Sequence, residues 1–302
     1  MCCDMKEIRA ELAAFIRRFD YGDQAEAAIL KNFDILMTDT ESAEALFAHI
    51  EAYKSRAFDF EALEADLRRG AQTCNVSEYE SRLAFYLSLL PYSEPYYRDA
   101  GLDGTVWYDS LLDFKWKMLE CVDIHGVCGI FTTWMGKWFT AERAAFGRLE
   151  FDLNTAKTDY RSGSVEIKAG DPVVAVHIPS RSRYPFSRQS CRESYRQAYE
   201  YYGKRLGTPL VFSCCSWMVW SENSRLLDEG SRIREFAADY DVSVDYDGSG
   251  HLWRIFGNAD ISDIASLPED TGLQRIYKAY MLEHGSIGNG QGYFCYEHRF
   301  GI

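Results

Sequence analysis

The chain has 302 residues, of which 47% are hydrophobic and 15% aromatic, with a formal net charge of −13 and nine cysteines. Such a length and apolar content indicate a folded protein of two domains rather than a disordered chain. The acidic balance excludes a general nucleic-acid surface, which needs a broad basic patch, and no run approaches the ~18–20 apolar residues of a membrane span.

The opening M-C-C-D-M-K-E-I-R has no basic leader followed by an apolar core, and the odd cysteine count forms no regular framework. A reduced, cytoplasmic protein is therefore expected.

Residues 5–100 read as helices. Ile8, Leu12, Phe15, Ile16 and Phe19 mark a first amphipathic helix, and residues 24–37 a second. Thr38-x-x-Glu41 resembles a capping box opening a third, with Leu46, Phe47, Ile50 and Tyr53 on one face. Residues 59–69 make a fourth, stopped by Gly70. Ser77-x-x-Glu80 opens a fifth that runs to Pro91, and Ser93 with Pro95 starts a short sixth. A further helix is predicted over 105–124, broken by Gly126 and Gly129. In the aromatic stretch that follows, Trp134 and Trp138 lie four apart on one helical face, where they either line an apolar substrate channel or fill core. Cys121-x3-His125-x2-Cys128 has the look of a metal site but lacks a fourth ligand, so no metal is expected.

After about residue 147 the period shortens toward 2. G-R-L-E-F-D-L is a candidate strand. Residues 164–168 and 172–178 read as a strand pair joined by Ala169-Gly170-Asp171. A helix over 190–205, capped by Ser187 or Ser190, leads to a strand over 209–217. Helical pieces flank Gly230, and strands at 242–246 and 252–256 are joined by Asp247-Gly248-Ser249-Gly250. A helix starts at Asp270 or Thr271, G-N-G-Q-G reads as a tight turn, and a last strand covers 290–296. The fold class expected is α+β: an all-helical N-terminal domain over 1–143, with a boundary as early as 102, and an α/β mixed sheet over 144–302.

The chemistry concentrates at 170–217. Residues 181–205 hold seven basic side chains against two acidic ones, an excess of +5 in an acidic protein. A helix amino end attracts anions, and arginines around its first turn strengthen the field. A phosphate site built by Arg181, Arg183, Ser187, Arg188, Ser190 and Arg192 is the functional reading, and a solvated basic face the bland one. His177 ends the apolar run V-V-A-V-H-I, where open α/β sheets form clefts, and fits a general base. Ser216 and Trp217 close the next strand, Ser216 as a candidate acid and Trp217 as a substrate-lining group. Cys214 and Cys215 precede them and read as buried small residues.

The segments G-D-P-V-V-A-V-H-I-P, S-C-C-S-W, S-R-I-R-E-F, L-W-R-I-F-G, L-P-E-D-T-G-L-Q-R and G-N-G-Q-G-Y-F resemble a bacterial acyltransferase family. That family joins a helical N-acyltransferase N-terminal domain to a GNAT-like (general N-acetyltransferase-like) C-terminal domain. The resemblance implies acetyl-CoA or another acyl-CoA as donor and an amine of a small molecule or peptide as acceptor. It also implies that the donor lies where the strands at 172–178 and 209–217 splay, with its diphosphate on the loop at 179–190. The loop departs from the family pattern in having no glycine. Two alternatives stay open: a GNAT-fold binding protein without catalysis, and a Cys-dependent transferase using Cys214 or Cys215.

Overall fold

The computed structural model describes residues 5–248 and 252–301. The chain divides into two compact units, Met1–Glu142 and Arg143–Ile302. Among the described residues, no helix is long and apolar enough to cross a membrane.

The first unit is helical: α1 (Met5–Arg18), α2 (Asp23–Leu36), α3 (Thr40–Lys54), α4 (Phe60–Cys74), α5 (Glu78–Leu89), α6 (Glu94–Asp99), α7 (Gly104–His125) and α8 (Gly136–Phe139). Helix α5 is buried from Ser81 to Leu89 and packs against α1, α2, α3 and α4, so it forms the centre of the bundle. Ser77 and Glu80 make the expected capping box at its start.

Three details depart from the sequence reading. Helix α3 is capped by Asp39, whose Oδ2 accepts the Ser42 N–H at 2.8 Å, and not by Thr38. Helix α4 runs through Gly70 and ends at Asn75, in the left-handed region. Gly70 is where α4 meets α3, since a Cβ there would stand 2.7 Å from the Ser42 hydroxyl. Trp134 and Trp138 share no helical face. Trp134 lies outside any helix and is 46% exposed, whereas Trp138 is in α8 and buried. The backbone of α8 is pinned by side chains from the bundle: Tyr97 donates to the Trp138 carbonyl (2.9 Å) and Tyr53 to the Phe139 carbonyl (2.6 Å).

The second unit opens with the hairpin of β1 (Arg143–Phe146) and β2 (Leu149–Thr155), turned at Gly147 with φ 69°, a conformation that favours glycine. Strands β3 (Tyr160–Ser162) and β4 (Val165–Ile167) form a separate two-stranded sheet. Then come β5 (Pro172–His177), α9 (Arg188–Leu206), β6 (Val211–Ser216) and a 3-10 turn over Trp217–Val219. The chain closes with α10 (Asn223–Leu226), α11 (Arg232–Ala237), β7 (Asp241–Tyr246), α12 (Trp253–Phe256), α13 (Gly272–His284), β8 (Asn289–Cys295) and α14 (Tyr296–Phe300). The main sheet has the order β1-β2-β5-β6-β8-β7, with β5 and β6 parallel and every other neighbour antiparallel.

The expected pairing of 164–168 with 172–178 does not occur; β5 pairs with β2 instead. The β3–β4 hairpin is an excursion pinched at its base, where Ala156 N–H donates to Asp171 O (2.8 Å) and Gly170 N–H to Ala156 O (2.9 Å), so the chain returns to the edge it left. The strand expected at 252–256 is the short helix α12, because Leu252, Ile255 and Phe256 are buried at helical spacing; Ser249 and Gly250 of the turn expected before it lie outside the described residues. G-N-G-Q-G enters β8 and is no tight turn. A Cβ at Gly290 would stand 2.2 Å from the Val219 carbonyl oxygen, so the glycine lets the 3-10 turn lie against the strand.

Candidate active site

Strand alternation gives the main sheet two unlike faces. Phe151, Phe212 and Phe294 point to one, and Tyr195 of α9 packs on all three rings, so α9 covers this face. The other face carries Glu150 and Asp152 of β2, Ala175 and His177 of β5, Ser213 and Cys215 of β6, and Gln291 and Tyr293 of β8, as the strand registers require. Its lower part is roofed by the β3–β4 hairpin, where Tyr160 stacks on Tyr293 at 5.3 Å and Val165 joins Val173 and Val211 in a small core. His177 and Cys215 lie beyond that roof, at the carboxyl ends of the parallel pair.

Those carboxyl ends part. Among the described residues, β5 and β6 pair at two positions, Val174 with Phe212 and Ala175 with Ser213. Each strand meanwhile stays paired outward to its end, His177 opposite Glu150 and Ser216 opposite Gly290. A gap therefore opens between 176–177 and 214–216, edged by backbone groups that lack a ladder partner across it.

His177 stands on one lip of that gap, with its side chain 31% exposed. Its Nε2 lies 3.2 Å from Oδ1 of Asp152, which is fully buried. The other oxygen of Asp152 takes Arg143 through Nε (2.9 Å) and Nη2 (2.5 Å). Burial by itself would raise the Asp152 carboxyl, but the hydrogen bond and charge of His177 and the Arg143 guanidinium outweigh it and hold the carboxyl well below the usual range. An ionised carboxylate only accepts, so Nε2 donates in this bond, and in the neutral imidazole that tautomer leaves the lone pair on Nδ1. Sequence reasoning found His177 and missed Asp152 and Arg143. The available signal was Glu150 and Asp152 alternating within an otherwise apolar strand.

From His177 the chain runs through residues 178–187 into α9. Ser187 caps that helix, its Oγ accepting the Ser190 N–H (3.2 Å) and donating to the Ser190 hydroxyl (3.1 Å). The basic cluster is divided by the fold. Arg196 is held by Glu193, at 2.9 and 2.7 Å, and by Glu200. Arg188 and Arg192 stand 3.8 and 3.7 Å from the buried Asp239, each about half exposed. Lys204 and Arg205 sit in the last turn, at the far end of the helix. Arg181 and Arg183 are exposed on the loop itself.

Residues 6–142 match the family described as N-acyltransferase N-terminal domain, and residues 144–294 the family described as GNAT-like C-terminal domain. The chain belongs to this N-acyltransferase family. No curated protein matches its sequence. Among solved structures, a mutant acyltransferase crystallised with octanoyl-CoA is 17% identical, with a TM-score of 0.72 over 95% of this chain and 88% of that one. An acyltransferase with decanoyl-CoA and teicoplanin is also 17% identical, with a TM-score of 0.67 over 93% and 86% of the two chains. Another, with CoA and 10C-teicoplanin, is again 17% identical and has a TM-score of 0.65 over 97% and 99%. These likenesses give this N-acyltransferase the same fold as those proteins.

The remaining candidates of the transferase fall on both sides of its sheet. Ser216 is on the α9-covered face, opposite to His177, and its Oγ accepts the Met218 N–H at 3.1 Å, starting the 3-10 turn. Trp217 is buried, its ring edge-on to Tyr277 of α13 at 5.9 Å. Cys214 is buried on the α9 side, while Cys215 is exposed on the face of His177. Burial raises the thiols of both. Among the described residues no three His, Cys, Asp or Glu side chains gather as a metal site needs; the His125 ring packs on Tyr79 at 5.0 Å and on Phe131 at 4.9 Å.

Proposed function

We propose that this chain moves an acyl group from an acyl-CoA to an amine of a small molecule by direct attack. The observation that carries the reading is the parting of β5 and β6 beside an Asp-oriented histidine. In the gap the two strands are not laddered to each other, which leaves a place for the extended arm of CoA, and the loop leaving His177 leads to a helix amino end suited to a diphosphate. Arg181 and Arg183 on the loop, and Ser187, Arg188, Ser190 and Arg192 at the cap and first turns of α9, are the groups proposed to hold it.

In the reaction the amine nitrogen attacks the thioester carbonyl carbon. The new C–N bond forms, the C–S bond breaks, and the amine proton passes to Nδ1 of His177. Asp152 steadies the imidazolium through Nε2–H, as the buried carboxylate of a catalytic triad does. The proton then leaves with the CoA thiolate, from His177; Ser216, on the opposite face, is too far round the sheet to relay it. A backbone N–H on the gap edge faces the developing oxyanion. Longer acyl chains and a small-molecule acceptor follow the proteins of like fold, crystallised with octanoyl-CoA or decanoyl-CoA and two of them with teicoplanin or its 10C form. Free cysteines throughout the described residues suit a reducing cytoplasm.

A Cys-dependent route would need a thiolate; full burial opposes one at Cys214, and partial desolvation raises the thiol of the exposed Cys215, with Lys157 acting the other way. Incubation with decanoyl-CoA and a panel of small-molecule amines, followed by thiol release and product mass, tests the proposal. Free CoA with a matching N-acylated product is expected. Release of CoA from no amine, with acetyl-CoA as well as decanoyl-CoA, overturns it.

A further inference from the structure

The β1–β2 turn holds a residue that the charge count of the loop leaves out. Arg148 follows Gly147, and its backbone N–H donates to the Ser194 hydroxyl of α9 at 2.9 Å. Ser194 in turn donates to the Ser190 carbonyl (2.9 Å), so the turn is tied to the first turns of the helix. The Arg148 side chain then runs beneath the loop between β5 and α9. Its Nη2 donates to the Pro179 carbonyl (2.9 Å) at one end of that loop, and its guanidinium lies 4.9 Å from the ring centre of Phe186 at the other.

Arg148 is only 6% exposed, and its Nη1 has no hydrogen-bond partner. Burial pushes its pKa down, against Cys191 and Glu150, yet a guanidinium does not give up its proton in a protein. The result is a buried positive charge with an unused N–H, set beside the positive end of a helix dipole. An apolar side chain would brace Phe186 with no desolvation penalty. The charge makes sense if an anion arrives at that end.

We propose that Arg148 is a positioning residue for the donor's diphosphate: it fixes Pro179 and Phe186 in the loop and adds a water-shielded positive charge beneath the amino end of α9. This rests on the acyl-CoA reading above. Exposed arginines are screened by solvent, whereas a charge in low dielectric acts at full strength over the short distance to a bound anion. Sequence distance hides the role, because the arginine belongs to the β1–β2 turn, 31 residues before the Pro179 carbonyl it holds.

Calorimetry with decanoyl-CoA and S-decanoyl pantetheine, which carries the same acyl group without the diphosphate, tests it. Arg148→Met is expected to weaken decanoyl-CoA binding roughly tenfold and to leave the pantetheine thioester unchanged, with Arg148→Lys regaining part of the loss. Equal weakening of both ligands, or of neither, overturns the role of Arg148 while leaving the acyl-CoA reading intact. If Arg148→Met does not fold, Arg148→Lys carries the same comparison with a smaller loss confined to decanoyl-CoA. Should the unaltered protein bind the two thioesters equally, the diphosphate seat fails, and this inference with it.

Discussion

Two buried carboxylates in this protein each hold an arginine, and their networks end differently. In the helical unit Glu64 takes Arg82 through Nε (2.9 Å) and Nη2 (3.0 Å), while Tyr86 donates to the same carboxylate (2.5 Å) and Arg82 Nη1 donates to the Ile130 carbonyl (3.0 Å). Glu64, Arg82 and Tyr86 are all buried, and the network runs out through Arg68 on Glu64 and Glu78 on Arg82, two half-exposed side chains that pair with each other at the surface. In the sheet unit Asp152 takes Arg143 on one oxygen and His177 on the other, and His177 reaches solvent at the parting strands. A buried, satisfied carboxylate is therefore not a sign of chemistry by itself. What matters is whether its chain of bonds ends in a group that a substrate can touch.

The contrast breaks first at His177. His177→Ala is expected to lower turnover by about 10² to 10⁴ with a smaller loss of stability than at Arg82, since Arg143 still holds Asp152, measured by thiol release and thermal denaturation. The mirror change is Arg82→Met, which leaves the buried Glu64 with the half-exposed Arg68 as its remaining cation. It is expected to destabilise the protein by about 3–5 kcal/mol in denaturant titration, with turnover per folded molecule kept. Equal effects of the two variants on both measurements would erase the distinction.

Asp152→Asn sharpens it further, because it keeps the shape and removes the charge. Turnover is expected to fall on the order of 10² or more, since the amide no longer fixes the tautomer of His177. The same variant reads out stability against pH. Asp152 has a folded pKa depressed below the unfolded value of about 3.9, so the unfolded state binds the proton more readily and stability rises with pH. Its contribution is complete above that value and lost as pH falls through the folded one. Denaturation midpoints below about pH 4 should therefore drop more steeply in the unaltered chain than in Asp152→Asn. The smallest effect is expected at Cys215→Ser, where turnover stays within about twofold because no acyl-thiol intermediate forms.

Much of the frame was legible because it is local. Ser77 and Glu80, Ser187 before α9, and Thr271 before α13 cap the helices as spacing requires. His177 stood out as one polar residue closing an apolar run. What escaped depends on strands meeting: Asp152 reaches His177 only through the β2–β5 register, and Arg143 reaches Asp152 through β1. Arg148 stood only as one residue of the candidate strand G-R-L-E-F-D-L, although its guanidinium reaches Pro179, 31 residues further on. The +5 at 181–205 already nets Glu193 and Glu200, which hold Arg196; what the count did not see is the buried Asp239 beside Arg188 and Arg192.

The account stands on the gap between β5 and β6 as the seat of the donor. A crystal structure with decanoyl-CoA tests this directly. The pantetheine arm is predicted to thread between residues 176–177 and 214–216, with the thioester near His177 and the diphosphate over residues 179–190. Decanoyl-CoA bound elsewhere on the protein, with β5 and β6 unoccupied between them, would contradict it.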